Sequence, residues 1–242
     1  EGIGGSIIYL VDRYGDRTIL NKATLAGLIK LTGNPRFGDD AWRRFIQLFG
    51  KIALNVDDRH FDEAMHAMKR KVGAAQDIDL KAEHLSELAD QFAKIIETRT
   101  GKPFPEDPYQ QLEIAVGAVF NSWNGKRAVD YRRQFRITKE MANGTAVNVC
   151  TMVFGNMGND SGTGVGFTRN PGTGENLIYG EYLVNAQGED VVAGIRTPQD
   201  ITEEARQESG SDKPSMESAM PEAFKELTRF YTLLEKHYRD MQ

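Results

Sequence analysis

A glycine-rich stretch between residues 144 and 199 constrains the fold of this chain more than any other part of its sequence. β-Branched residues alternate there with glycines and turn-forming residues, and a short polar loop separates two strand-like runs. The residues of this loop are Ser161, Gly162, Thr163 and Gly164. Glycine lets a backbone curl without side chains in the way, so amides crowded into such a loop can hold an anion. The first hypothesis is therefore a phosphate-handling protein.

Taken alone, the segment at 161–166 has a simpler interpretation as the tip of a hairpin. It lacks the Lys-Ser/Thr ending of a P-loop, and it precedes a strand where a dinucleotide fingerprint would precede a helix. Glycine-rich hairpin connections are common in proteins. The residues by themselves therefore favour a hairpin connection and leave the anion site as the alternative.

The composition is that of a soluble globular chain and does not favour a nucleic-acid or membrane partner. The 242 residues are 40% hydrophobic and 27% charged, and the net charge is −5. Sequence-independent binding of nucleic acid needs a basic surface, which this charge balance does not suggest. No apolar run reaches the length of a bilayer span. Because Cys150 is the one cysteine, no intrachain disulfide can form, and we predict a reducing, cytoplasmic location.

Residues 29–106 predict a small bundle of three amphipathic helices, because apolar residues recur there at helical spacing. Asp39 or Asp40 would cap the first helix, and Asp58 would cap the second. Asp79 lies before the third helix. The three apolar faces consist of Trp42, Phe45, Ile46, Phe49 and Ile52; of Phe61, Met65, Met68 and Val72; and of Leu85, Leu88, Phe92, Ile95 and Ile96.

The remaining segments complete an α+β organisation. The predicted parts are a partial first subdomain at 1–28 that begins with a small hairpin, the bundle at 29–106, a return to the first subdomain at 107–144, and a strand-rich subdomain at 145–242. Alternating residues predict a strand over 147–154, and strands at 165–168 and 177–184 would flank a turn at 170–174. The polar segment at 203–220 predicts a mobile loop, and Pro221 begins a last helix.

Two further groups of residues have both a functional and an ordinary interpretation. Arg127, Arg132, Arg133 and Arg136 surround Tyr131, either as a solvated helix face paired with acids or as a contact for an anion or a partner domain. The residues Glu189, Asp190 and Val191 follow a Gln-Gly pair. They form either a solvated acidic turn or an extended linker that presents a carbonyl and an amide to a purine edge. No catalytic triad and no metal-ligand spacing is found in the sequence.

Several motifs in order closely resemble the pyruvate phosphate dikinase family. They are TAVNV at 145–149, MVFGN at 152–156, SGTGV at 161–165, FTRNP at 167–171, GEYLVNAQGEDVVAG at 180–194 and RTP at 196–198. TGNPRF at 32–37, RRFIQ at 43–47, SW at 122–123, YRR at 131–133 and LEKHYRDMQ at 234–242 match as well. The resemblance runs from about Thr32 to Gln242, and it overturns the two ordinary interpretations of 161–164 and 189–191.

The resemblance implies an excerpt of an N-terminal ATP-grasp nucleotide-binding domain with an inserted helical bundle. The family transfers the β-phosphoryl group of ATP to a histidine on a swivelling domain, and a barrel domain then converts pyruvate to phosphoenolpyruvate. By this resemblance the Ser-Gly-Thr-Gly loop, with Thr163 and Gly164, lies over the ATP phosphates. The strand after Gln-Gly, with Glu189 and Val191, holds the adenine. ATP, Mg²⁺, the swivelling domain and a homodimeric full-length enzyme are the implied cofactors and partners.

The departures from the family pattern limit what this chain can do alone. The family's upstream glycine-rich segment with its lysine, its Arg-Ser-Gly motif, and the acidic pair that holds magnesium are absent from the sequence. We therefore expect no catalytic residue and no metal ligand within it, weak ATP binding and no activity. Two alternatives stay open: the nucleotide domain of a phosphoenolpyruvate synthase, and a non-catalytic docking module that uses the arginine cluster at 127–136.

Overall fold

The computed structural model describes residues 21–149, 153–192, 194 and 196–239. It divides into two compact units, Glu1–Met152 and Val153–Gln242. The described part of the first unit is helical, and the second combines a small antiparallel sheet with helices. The chain is thus a mixed domain of helices and a small sheet. None of the described helices is long and apolar enough to cross a bilayer.

The first unit contains six α-helices and one 3-10 turn among its described residues. They are α1 (Lys22–Thr32), α2 (Pro35–Ile52), α3 (Arg59–Val72), the 3-10 turn Asp77–Asp79, α4 (Ala82–Thr100), α5 (Pro108–Ser122) and α6 (Lys126–Gln134). The three helices predicted over 29–106 correspond to α2, α3 and α4. The hairpin predicted near the start of the chain lies outside the described residues.

Apolar faces hold the bundle together, as the spacing predicts. Phe61 of α3 and Phe92 of α4 are fully buried, and their rings meet edge to face with centroids 5.0 Å apart. Phe104, beyond α4, packs edge-on against the α2 rings of Trp42 and Phe45. The core of the first unit therefore forms where α2, α3 and α4 meet.

The predicted cap of the first long helix is wrong. Asn34 caps α2, because its side-chain oxygen accepts a hydrogen bond from the Phe37 amide at 3.1 Å. Asp39 and Asp40 lie inside α2 and are buried. Asp58 occupies the cap position of α3, but its side chain makes no capping bond and instead pairs with Lys51.

The second unit contains a three-stranded antiparallel sheet and four helices among its described residues. The strands are β1 (Gly162–Phe167), β2 (Tyr179–Val184) and β3 (Gln199–Asp200), in the order β1-β2-β3. The helices are α7 (Gly188–Val192), α8 (Glu203–Ser209), α9 (Met216–Ala219) and α10 (Pro221–Tyr238). Pro221 occupies the first turn of α10, as its sequence position predicts.

The turn between β1 and β2 is confirmed. The Gly174 amide donates to the Asn170 carbonyl at 2.8 Å, and the Asn170 amide donates to the Glu175 carbonyl at 2.9 Å. Gly174 has a φ of +77°, a conformation that glycine adopts without strain. The two strands are therefore joined where the Asn-Pro-Gly sequence predicts.

Two other predictions for this half of the chain are wrong. The strand predicted over 147–154 is absent at 147–149 and 153–154, while residues 150–152 lie outside the described residues. The segment at 203–220 is not an irregular loop, because α8 and α9 lie within it. Glu203 bridges them: its carboxylate accepts hydrogen bonds from Arg206 and, at 2.8 Å, from the buried hydroxyl of Ser215. Long-range pairing of this kind leaves no periodic signal in a sequence.

Candidate functional site

The predicted phosphate loop is a strand in the structure. Gly162, Thr163 and Gly164 form the first half of β1 and pair with Val184, Leu183 and Tyr182 of β2. The strand forms because each glycine allows the neighbouring backbone to approach closely. A Cβ at Gly162 would lie 2.9 Å from the Leu183 carbonyl oxygen, and one at Gly164 would lie 2.8 Å from that of Glu181. The prediction of a curled loop at these positions is therefore wrong.

The strand still directs amide groups toward its outer edge. The Asn185 amide donates to the Ser161 carbonyl at 2.8 Å, so these two residues form a hydrogen-bonded pair. Such pairs alternate along an antiparallel ladder, which makes Thr163–Leu183 the next one. The N–H groups of Gly162 and Gly164 consequently point away from β2. Within the described part of the chain no strand pairs with that edge of β1.

Ser161 organises the turn that leads into β1. Its hydroxyl donates to the Gly158 carbonyl at 2.8 Å and accepts a hydrogen bond from the Gly158 amide at 3.0 Å. The same oxygen lies 3.1 Å from the Gly155 carbonyl. The Ser161 side chain is therefore engaged within the protein, and its part in the site is to shape the turn.

Thr163 connects β1 to the chain that leaves β2. Its hydroxyl donates to the Ala186 carbonyl at 2.6 Å, and the Ala186 amide donates to the Gly155 carbonyl at 2.8 Å. A Cβ at Gly155 would lie 2.0 Å from the Thr163 hydroxyl oxygen, so only glycine fits there. Asn185, which turns the chain toward this contact, has a φ of +49°.

The predicted adenine segment is a short helix and not an extended linker. Gly188–Val192 forms α7. Asp190 stabilises the start of α7, since the Asp190 carboxylate accepts a hydrogen bond from the backbone amide of Gln187 at 2.8 Å. Val191 is buried and packs in a small core with Leu183 and Ala186. Val191 therefore joins α7 to the residues at the end of β2 through this core.

The structure brings the two predicted parts of the site together. The residues of β1 and of α7 both adjoin Ala186, which follows Asn185 at the end of β2. Beside this junction the buried amides of Asn156 and Gln187 are joined by a hydrogen bond of 3.3 Å. Sequence reasoning missed Gly155, Asn156 and Gln187 as site residues. Their signal was present, because they belong to the MVFGN and NAQGE motifs.

The charges around the sheet do not assemble a metal site. Glu181 of β2 lies opposite Asp200 of β3 in the ladder. No group of three or more potential His, Cys, Asp or Glu ligands occurs among the residues that the structure describes.

Burial raises the pKa of the Tyr182 hydroxyl, which donates to the Pro214 carbonyl at 3.1 Å. Tyr182 thus serves to anchor the segment before α9.

Comparison with known families decides the class of this domain. The sequence model of the family described as "Pyruvate phosphate dikinase, AMP/ATP-binding domain" matches residues 17–222. The chain belongs to this family. The match includes β1, α7 and the junction between them. The chain is accordingly a nucleotide-binding domain homologous to the N-terminal region of pyruvate, phosphate dikinases.

Curated relatives extend the similarity over nearly the whole chain. The pyruvate, phosphate dikinase of Entamoeba histolytica is 53% identical over 223 residues, which cover 92% of this chain and 24% of the relative. That of Rhizobium meliloti is 52% identical over 92% of this chain and 25% of its own length. That of Clostridium symbiosum is 50% identical over 92% of this chain and 24% of its own length. The chain spans about a quarter of the length of these relatives.

Some relatives carry a location in their names. The relative from Flaveria pringlei, 49% identical over 222 residues, carries the word chloroplastic in its name. The cytoplasmic location therefore stays a prediction for this chain.

Proposed function

We propose that the chain is the ATP-binding part of a pyruvate, phosphate dikinase and that it holds the nucleotide along β1. The observation that carries this proposal is the outward direction of the Gly162 and Gly164 amides on an edge of β1 that no described strand pairs with. Phosphate oxygens accept hydrogen bonds from such amides, and phosphoryl transfer depends largely on positioning and charge stabilisation. Ser161 and Thr163 shape this edge through their hydroxyl contacts.

The adenine ring would lie beside α7. The backbone of Glu189 and the carbonyl of Asp190 are the candidates for the purine edge, because the Asp190 amide already donates to the Gln187 carbonyl at 3.0 Å. The buried Val191 side chain holds this helix against Leu183 and Ala186. Adenine recognition by backbone groups requires only that the helix start be held in place. The Asp190 carboxylate does this through its bond to the Gln187 amide.

Mg²⁺ would accompany the ATP phosphates, but the described residues do not provide its ligands. No cluster of three carboxylate, imidazole or thiolate side chains occurs among them. Hard divalent cations need several converging oxygens. We therefore assign no metal ligand among the described residues.

The activity belongs to the longer protein. In our proposal an ATP-grasp domain, with the bundle of α2, α3 and α4 inserted, passes the β-phosphoryl group to a histidine on a swivelling domain. Pyruvate then becomes phosphoenolpyruvate in a homodimeric enzyme. The chain spans about a quarter of the length of its relatives, so by itself it is expected to bind ATP weakly and to transfer no phosphoryl group.

Glycine-selective NMR tests the proposed phosphate contacts directly. With ¹⁵N-glycine labelling, MgATP should shift the amide signals of Gly162 and Gly164 and leave those of Gly172 and Gly174, in the β1–β2 turn, unchanged. Calorimetric titration of the chain beside a version extended at both ends should show tighter binding by the extended version. Shifts confined to the turn glycines would refute the placement along β1. No ATP binding by either version would refute the function.

One alternative rests on a specific observation. Helix α6 exposes Tyr131, while Arg132 stacks 3.9 Å from the Trp123 ring centre. Arginine and aromatic side chains together are typical of docking surfaces, so α6 could serve a non-catalytic docking module. Charge reversal of Arg132 and Arg133 that weakens domain docking but spares ATP binding would support this. Phosphate dependence of the full-length enzyme would separate a dikinase from a phosphoenolpyruvate synthase.

A further inference from the structure

We propose that the Thr163 hydroxyl is a positioning group, which ties the phosphate half of the nucleotide site to the adenine half, and that it makes no direct contact with ATP. This inference rests on the proposed function, since it assigns a role within the same site. It differs from the role that the family resemblance implies for Thr163, which is a place over the phosphates.

The hydroxyl and the backbone amide of Thr163 both already form hydrogen bonds within the protein. Its hydroxyl donates to the Ala186 carbonyl at 2.6 Å, which is a short hydrogen bond for a neutral pair. Its backbone amide belongs to the hydrogen-bonded pair with Leu183. A phosphate group would have to displace one of these bonds, whereas Gly162 and Gly164 direct their amides outward without such a cost.

Ala186 is the point through which the two halves are connected. Its carbonyl receives the Thr163 hydroxyl, and its amide donates to the Gly155 carbonyl at 2.8 Å. Its fully buried side chain packs with Val191 of α7. Movement of β1 relative to α7 would break these contacts together. The distance between the phosphate contacts and the adenine contacts is therefore fixed by this residue.

Gly155, Asn156 and Gln187 contact the same junction. Gly155 leaves no room for a side chain, since an added Cβ would lie 2.5 Å from both the Ala186 and the Gly162 carbonyl oxygens. Next to it, the buried Asn156 side chain accepts a hydrogen bond from Gln187, which precedes α7. The backbone amide of Gln187 in turn donates a hydrogen bond to the Asp190 carboxylate in α7. A continuous set of hydrogen bonds thus runs from β1 to the start of α7.

A junction of this kind affects a ligand that spans both halves more than it affects either piece of that ligand. ATP gains affinity from linking adenosine to its phosphates only while the two half-sites are held at the matching distance. Loosening the junction should therefore weaken ATP binding and leave adenosine and tripolyphosphate binding almost unchanged. Loss of a direct phosphate ligand would instead weaken ATP and tripolyphosphate equally.

The test measures the dissociation constants of ATP, adenosine and tripolyphosphate by NMR titration of Thr163→Val, Thr163→Ser and the unmodified chain. Thr163→Val should weaken ATP binding about 5- to 10-fold, as expected for the loss of one hydrogen bond. The affinities for adenosine and tripolyphosphate should stay within about twofold. Thr163→Ser keeps the hydroxyl and should restore ATP binding.

A control variant separates positioning from general stability. Thr228→Val removes a comparable hydroxyl bond, 2.9 Å long, to the Phe224 carbonyl within α10 and should leave all three affinities unchanged. A parallel loss of tripolyphosphate affinity in Thr163→Val, or equal effects of Thr163→Val and Thr228→Val, would overturn the inference. If neither the unmodified chain nor the version extended at both ends bound any of the three ligands, the proposed function would fail first.

Discussion

Arg169, two residues beyond β1, forms an ion pair with Glu235 in α10, and its Nε donates to the Glu235 carboxylate across 2.7 Å. The Arg169 guanidinium also donates to the Gly174 carbonyl at 3.1 Å and to that of Arg239 at 3.2 Å. One side chain thus fastens the β1–β2 turn to the end of the last helix. Residues far apart in the sequence are joined at the edge of the sheet.

We expect Arg169→Gln to destabilise the second unit by about 1–3 kcal/mol, because it leaves the largely buried Glu235 carboxylate without its cation. Urea unfolding measures this change. Arg229→Gln breaks an exposed pair with Glu226 in the same helix and should cost less than about 1 kcal/mol. Equal costs for the two variants would mean that Arg169 does not fasten α10.

Gly50 lies where α2 meets α3 and α4. A Cβ there would lie 2.8 Å from the Phe61 ring and 2.9 Å from the Ile96 side chain. Gly50→Ala should therefore destabilise the bundle by about 1–3 kcal/mol through overpacking, although alanine is the better helix former. Gly117→Ala in α5 has open space and should stabilise by about 0.5–1 kcal/mol. Thermal unfolding of both variants checks the opposite signs.

Asp40 makes the bundle sensitive to acid. Burial alone would raise the pKa of this carboxyl, but the guanidinium groups of Arg43 and Arg44 outweigh it and hold the pKa at about 2. The folded pKa lies below the ordinary value of 3.8, so the charged carboxylate stabilises the fold above pH 3.8. This contribution is lost as the pH falls through about 2.

Asp40→Asn removes this titration and should be destabilised at neutral pH, since Arg43 is left buried without its partner. The difference in unfolding free energy between the variant and the unmodified chain should shrink by about 2 kcal/mol as the pH falls from about 4 to about 2. Urea unfolding at several pH values measures it. A difference that is constant over this range would contradict the assignment.

The helical order of residues 203–219 depends on Glu203. Its carboxylate binds Arg206 within α8 and the buried Ser215 hydroxyl before α9. Glu203→Ala should accelerate hydrogen exchange across α8 and α9 and expose the Arg206 peptide bond to trypsin. Glu204→Gln changes a neighbouring exposed acid and serves as the control. Unchanged exchange in Glu203→Ala would show that the segment is ordered by other contacts.

Helices and the hairpin turn were predictable because their signals are local. The spacing of Phe45, Phe61 and Phe92 marks faces that are buried in the structure, and the Asn-Pro-Gly sequence marks a turn whose bonds join residues only a few positions apart. The α2 cap was mispredicted because Asp39 and Asp40 have side chains that can cap a helix, but both lie inside α2. Asn34 caps α2 because it directly precedes the first residue of the helix.

The site was only half predictable. The motifs identify the family, and the family match confirms this. They also predict site segments at 161–164 and 189–191, which stay a prediction. They do not give the backbone conformation. In the structure Gly162 and Gly164 lie in a strand that pairs with β2, and residues 188–192 form a helix whose Val191 is buried against Leu183 and Ala186.

The sequence by itself determined the periodic faces, the turn and the family, because each depends on the order of residues along the chain. The tertiary structure alone decided long-range contacts such as the hydrogen bond from the Thr163 hydroxyl to the Ala186 carbonyl. Thr163 and Ala186 are 23 positions apart, and no local pattern relates them. They meet because β1 and β2 pair, Asn185 turns the chain back, and Gly155 leaves the space between them open. Contacts of this kind arise from pairing and packing between distant segments, which a single sequence does not display.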